Sequence, residues 1–133
     1  MDHEPHEPRE RLLYRDEVFQ IQGAIFDVNR YMGSGFLEAV YQECLALEFS
    51  ARSIPFVAQH PLPLTYRGLL LRQSYLADFV CYGSIIVELK AVREITPEHR
   101  AQVLNYLAAT GLKLGLLVNF GAAPKARIER LVR

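Results

Sequence analysis

Hydrophobic positions in the first third of the chain recur at helical spacing. Val18, Ile21, Ile25 and Val28 form one stripe, widened by Phe19, Ala24 and Phe26. This predicts a helix over residues 16–32, with Asp16 as N-cap and Gly33-Ser34-Gly35 as its end. A second stripe of Phe36, Leu37, Val40, Tyr41, Cys44, Leu45 and Leu47 predicts a helix over 36–52, broken by Ile54-Pro55. The pattern then changes to strand-like runs over 56–59, 62–66, 69–79 and 85–90. Pro61 and Pro63 suit a sheet edge or a bend, and Arg67-Gly68 a turn. Thr96-Pro97-Glu98 opens a helix that runs to about Thr110, with Val103, Leu104, Leu107 and Ala108 inward. The continuous apolar run over 112–120 reads as a central strand covered on both faces, and 127–133 as a short edge strand in preference to a helical turn. The order of elements predicts an α/β fold: a mixed β-sheet flanked by helices.

One apolar stretch breaks its own pattern. Residues 75–90, YLADFVCYGSIIVELK, read as a strand pair but carry Asp78, Glu88 and Lys90. Ionised side chains are seldom buried unless paired or bound to a metal. Glu88 and Lys90 are two apart and share a strand face. Asp78 joins them only if the intervening turn has the right length. A two-residue turn pairs Cys81 with Ser84 and turns Asp78 away from Glu88. A three-residue turn, Tyr82-Gly83-Ser84, pairs Cys81 with Ile85 and sets Asp78 opposite Glu88. Opposed carboxylates repel, and a bound cation relieves this. Two carboxylates plus a nearby backbone carbonyl, that of Leu89, make a hard oxygen site suited to Mg²⁺ or Mn²⁺. An adjacent lysine supplies positive charge for a phosphate or orients a water.

Composition narrows the classes further. The 133 residues suffice for one domain, here 16–133, after a polar tail over 1–15 in which His3 and His6 have nothing apolar to order them. Fifteen basic and fifteen acidic residues cancel, so no general basic coat for nucleic acid exists. A local contact remains open: Lys113, Lys125, Arg127, Arg130 and Arg133 give a basic tendency near the C-terminus, to be read as a nucleic-acid contact or as a solvated face. Cys44 and Cys81 lie in apolar runs without a pairing pattern, which suggests reduced thiols and a cytoplasmic setting. No apolar run approaches the ~20 residues of a membrane span.

Glu-x-Lys alone is weak, expected by chance in roughly a third to a half of chains this long. The context is more specific: an apolar strand, an acid ten residues upstream, a glycine turn between, and Gln102 and Tyr106 on one face of the following helix. In this combination the chain resembles the PD-(D/E)XK nuclease superfamily. Within it, the chain is similar to small bacterial proteins named for a GxxExxY motif, here Gly35 to Tyr41 around Glu38. The resemblance implies a restriction-endonuclease-like αβββαβ core. It implies that Asp78 and Glu88 bind Mg²⁺ or Mn²⁺ and that Lys90 assists the attacking water. By the same resemblance Glu38 is a further ligand or a base, and Gln102 with Tyr106 fills the place of a Gln-x-x-x-Tyr helix. Two positions depart from the pattern: Ala77 stands before Asp78 instead of Pro, and Asn29 where relatives of the GxxExxY type often carry His. The implied function is a metal-dependent nuclease acting on DNA or RNA, with a homodimer or protein partner open. The alternative is a catalytically silent nuclease-fold module that binds nucleic acid or protein.

Overall fold

The computed structural model describes residues 13–133. Of the tail expected over 1–15, residues 1–12, including His3 and His6, lie outside these residues, and Arg15 already belongs to the first helix. Leu13 and Tyr14 pack against the core, and the Leu13 carbonyl accepts a hydrogen bond from Arg130 Nη2 at 2.7 Å. Helix α1 spans Arg15–Met32. Its N-cap is Tyr14, in the left-handed region with φ 54°, so Asp16 is not the cap. Asp16 and Glu17 instead sit in the first turn, where acids complement the helix dipole. Helix α2 spans Glu38–Ala51. It starts after Phe36 and Leu37, both exposed, and buries Tyr41, Leu45 and Phe49. Phe19 and Leu47, read as core, are also exposed. Both stripes are narrower than the sequence suggests because each helix covers the sheet on one side only.

Five strands follow the helices: β1 (Phe56–Tyr66), β2 (Leu69–Cys81), β3 (Ile85–Lys90), β4 (Leu114–Asn119) and β5 (Arg127–Val132), with helix α3 (Pro97–Thr110) between β3 and β4. The sheet order is β1-β2-β3-β4-β5, parallel only between β3 and β4, which α3 connects. The α/β fold with a mixed, helix-flanked sheet is therefore as expected. The two strands predicted over 56–59 and 62–66 are a single strand. Pro61 and Pro63 pair with Leu76 and Ser74 without breaking it. Being two apart, they turn their missing N–H groups the same way, and β1 is an edge strand with one open side.

The two faces of the sheet carry separate cores. One, under α1 and α2, holds Ile21, Ile25, Tyr41, Phe49, Phe79, Val87, Leu116 and Phe120. The other, under α3, holds Tyr75, Ala77, Val80, Ile86, Val103, Leu107 and Leu117. All six residues of β4 are buried, as a strand covered on both faces requires. Leu104 and Ala108 are exposed, contrary to the inward reading. Gly115 lies under Val103 and Leu107, and α3 approaches the sheet closely there.

Alternation along β2 slips at one point. Phe79 and Cys81 face α1 and α2, whereas Tyr75, Ala77 and Val80 face α3. Strict alternation would place Tyr75 and Ala77 with Phe79. The slip falls around Asp78. There the β1–β2 ladder omits the Gln59–Asp78 pair, and Gln59 has φ +53°.

Candidate active site

The hairpin between β2 and β3 has the three-residue turn. Cys81 pairs with Ile85, Val80 with Ile86 and Phe79 with Val87. Tyr82 and Gly83 take φ of 56° and 66°, and Ser84 N donates to the Cys81 carbonyl at 3.0 Å. Continued one step, this register puts Asp78 opposite Glu88. The backbone ladder stops before that step, and side chains take over. Glu88 Oε2 accepts the Asp78 N–H at 2.9 Å, and Asp78 Oδ2 accepts the Leu89 N–H at 2.8 Å. Each carboxylate thus bonds the backbone of the opposing strand where the strands diverge.

The pair is electrostatically loaded. Burial, and then the charge of Asp78, push the Glu88 carboxyl up to about 7, against the opposing pull of Tyr75, the Asp78 N–H and Lys90. Burial also raises Asp78, countered by the Leu89 N–H, Lys90 and Gln59. Two half-buried carboxylates within one hydrogen-bonded loop resist simultaneous ionisation. Lys90 lowers both and so stands close enough to offset part of the repulsion.

The donor set suits a hard divalent cation. One oxygen of each carboxylate is used by a backbone N–H. Asp78 Oδ1 has only a long contact to Gln59 Nε2 at 3.4 Å, and the second Glu88 oxygen has no backbone donor. The Lys90 carbonyl accepts from Phe120 N, toward β4. Neighbouring residues of a strand point their backbone groups to opposite sides. Leu89 therefore turns its carbonyl, like its N–H, toward the Asp78 side and beyond the last ladder pair with β2. All three groups are oxygens, the preference of Mg²⁺ and Mn²⁺. Among the described residues no three His, Cys, Asp or Glu side chains cluster as a metal site, so the side-chain donors here are a pair.

The remaining expected residues are placed differently. Glu38 is exposed in the first turn of α2, and Gln102 is exposed on α3. Neither side chain makes a hydrogen bond or ion pair among the described residues. Tyr41, one turn beyond Glu38, is buried; its hydroxyl donates to the Gly33 carbonyl at 2.5 Å and accepts from Phe36 N at 3.3 Å. Its ring stacks on Phe120 at 4.4 Å. Gly35, with φ +109°, lets the chain turn into α2. His99 caps α3: its N–H donates to Thr96 Oγ1, and its Nδ1 accepts from Thr96 N. Asn29 joins α1 to the loop before β5 by accepting the Ala126 N–H at 2.9 Å.

Sequence reading missed Tyr75 and Gln59. The Tyr75 ring stacks on Tyr106 at 3.5 Å, and its buried hydroxyl sits beside Glu88 without meeting hydrogen-bond geometry. Tyr75 is three residues from Asp78, a spacing that gives opposite faces in a regular strand. Only the slip in β2 brings it to the same side. Gln59 reaches Asp78 from β1, a pairing no local pattern reveals.

Comparison with known proteins agrees with the fold. The family model of the PD-(D/E)XK nuclease superfamily matches residues 15–131. The crystal structure of SSO0001 superposes with a TM-score of 0.57 at 16% identity, a likeness of fold. The alignment covers 93% of this chain and 62% of that one, so this chain spans less than two thirds of that protein. No curated protein matches. Among the described residues no helix is long and apolar enough to cross a membrane. With the family model spanning almost every described residue, the chain belongs to the PD-(D/E)XK nuclease superfamily.

Proposed function

We propose that the chain is a divalent-metal-dependent nuclease that hydrolyses phosphodiester bonds of DNA or RNA. The observation that carries this reading is the reciprocal bonding of Asp78 and Glu88, which holds the two carboxylates together beside Leu89 where the strands part. Asp78, Glu88 and Leu89 would hold Mg²⁺ or Mn²⁺, which when bound acidifies a water and polarises the phosphate. The chain's own part is positional. Lys90 lies on the Glu88 face and supplies a positive charge for the attacking water and the developing negative charge. The Tyr75–Tyr106 stack closes the inner side of the carboxylate pair against water. By the family resemblance Glu38, as a ligand or base, and Gln102 are assigned as further members of the site. The Gly35, Glu38 and Tyr41 arrangement supports a place among GxxExxY-type proteins, and with it a bacterial, cytoplasmic setting. A homodimer or a protein partner would supply the substrate selection that so small a fold lacks.

A silent binding module is the second reading, and the absence of a third clustered ligand side chain among the described residues favours it. The two separate on incubation of purified protein with labelled single- and double-stranded DNA and RNA in Mg²⁺, Mn²⁺ or EDTA. The nuclease reading expects metal-dependent cleavage that Lys90→Ala abolishes. Binding without cleavage, or cleavage that survives Lys90→Ala, defeats it.

A further inference from the structure

On the α3 face of the sheet, the row that begins at Lys90 continues across two more strands. Lys90 pairs with Asn119 on β4, and Asn119 with Arg127 on β5. Opposed residues of neighbouring strands share a face, so the row spans about 10 Å, two strand spacings. Beyond Lys90 a cavity of about 360 Å³ opens between the end of the sheet and the loop that leads into α3. Its charged lining is Arg93, Arg100 and Arg127 against Glu94 and Glu129. Glu129 is engaged by Arg100 Nε. The side chains of Arg93 and Arg127 have no ion pair among the described residues.

Asn119 is the informative member. It lines the cavity although only 1% of it is exposed. Its Oδ1 accepts two backbone N–H groups, Val92 at 3.0 Å and Gly121 at 2.9 Å. Two donors on one atom fix which end of the amide is oxygen. The Nδ2 donors therefore point the other way, with no acceptor among the described residues. A nearly buried amide with free donors, flanked by two unpaired guanidiniums, is built to receive an anion. The wall behind it is rigid, since a Cβ at Gly121 would lie 2.3 Å from the Val92 carbonyl oxygen.

We infer that this cavity is a phosphate subsite, in which Arg93, Arg127 and Asn119 Nδ2 hold a nucleic-acid phosphate beside the one presented to Asp78, Glu88 and Lys90. The inference rests on the reading that the chain acts on nucleic acid, but it does not need turnover. Of the five basic residues near the C-terminus, only Arg127 serves it. Lys125 lies over the Phe26 ring, and Arg130 bonds Leu13 on the α1 side.

The test is binding by the full-length protein in EDTA, where no metal-dependent cleavage occurs. Anisotropy of labelled single-stranded oligonucleotides, 5′-phosphorylated or 5′-hydroxyl, is read across a salt series for wild type, Arg93→Gln, Arg127→Gln and, as control, Lys125→Gln. Arg93→Gln and Arg127→Gln are expected to weaken binding about tenfold each and to lower the salt slope by about one. Lys125→Gln should leave binding unchanged. A loss confined to the phosphorylated strand assigns the subsite to a terminal phosphate, and an equal loss on both assigns it to an internal phosphodiester. Unchanged binding in both arginine variants, or an equal loss in Lys125→Gln, overturns the subsite. As a direct readout, the Asn119 side-chain NH₂ resonances of wild type should move on titration with inorganic phosphate, and stationary resonances count against it. Failure of cleavage alone would strike the nuclease reading and leave this one standing.

Discussion

Asp78 and Glu88 hold each other's strands: Glu88 Oε2 takes the Asp78 N–H, and Asp78 Oδ2 takes the Leu89 N–H. Two strands that part would normally leave these N–H groups unpaired, at a cost of about 1–3 kcal/mol each. The carboxylates satisfy them, and in doing so are themselves pinned as a like-charged pair. Structural need and the proposed chemistry thus converge on the same two side chains.

Removing the acceptor at position 78 should therefore cost stability, while removing only its charge should not. Asp78→Ala leaves the Leu89 N–H without a partner and is expected to destabilise the protein by about 1–3 kcal/mol. Asp78→Asn keeps an oxygen for that N–H and should unfold close to wild type. Urea denaturation at neutral pH reads both. An Asn variant as unstable as the Ala variant would mean that charge, not hydrogen bonding, holds the divergence.

Glu88 makes stability depend on pH in a defined direction. Its carboxyl lies at about 7 in the folded chain against an ordinary 4.5, so the folded state binds the extra proton. Stability from this group is full below about 4.5 and is lost as pH rises through about 7. The metal-free protein should lose on the order of 2 kcal/mol across that window, allowing for partial solvent screening. Glu88→Gln removes the titration, so the variant should match wild type near pH 5 and melt above it near pH 8. A melting difference independent of pH would contradict the assignment.

On the proposed reading, cation binding is coupled to the same proton. Below about 7 the Glu88 proton must leave before the oxygen can serve as a ligand, so Mn²⁺ affinity should fall up to tenfold per pH unit there. It should level off above pH 8. Calorimetric titration of Mn²⁺ at several pH values in buffers of different ionisation enthalpy measures both affinity and protons released. Glu88→Gln should bind at least tenfold more weakly at pH 8, and near pH 6, where wild type releases the Glu88 proton on binding, the variant should release none from this position.

Much of this site can be read along the chain, because its main parts are close in sequence. The glycine turn, the apolar strand and the spacing from Asp78 to Glu88 limit the register to two choices, and Gly83 fits the one found. Helix α3 was equally plain, since its Thr96 cap, Pro97 and Gly111 are local signals. What escaped depends on tertiary packing. The widths of the α1 and α2 stripes are set by how each helix lies on the sheet, so Phe19 and Leu47 looked buried. Tyr75 reaches the Glu88 side only through an irregularity of β2 that comes from pairing with β1. Asn119 carries no signal in the sequence, and its role needs the Val92 loop folded against it. The basic residues near the C-terminus form one patch in composition only, since strand alternation splits Arg127 from Arg130.

Tyr41 offers a test of local order near Glu38. Its hydroxyl ties the Gly33 carbonyl and the Phe36 N–H, and so holds the loop from which α2 starts. Tyr41→Phe keeps the stack on Phe120 but releases both bonds, at an expected cost of about 1 kcal/mol. Hydrogen exchange should quicken at Phe36 and around the start of α2 while β4 stays protected. If Glu38 takes part in catalysis, the variant should also lose activity beyond its loss of stability. A variant with normal activity and a loosened loop would remove Glu38 from the reaction.

Gly121 is the firmest structural prediction. The Val92 backbone passes so close that a Cβ at this position would lie 2.3 Å from its carbonyl oxygen and 2.7 Å from its nitrogen. Both are backbone atoms, so relief requires moving the chain that follows β3. That chain is the one Asn119 Oδ1 holds through the Val92 N–H. Gly121→Ala should therefore destabilise the protein by about 1–3 kcal/mol and disturb the Asn119 amide. Asn119→Ala should cost a similar amount, because it strands two backbone N–H groups that one oxygen now serves. The two changes act on one contact, so the double variant should be less unstable than the sum of the singles. Strict additivity in thermal or urea unfolding would show that Gly121 and Asn119 do not support the Val92 loop together.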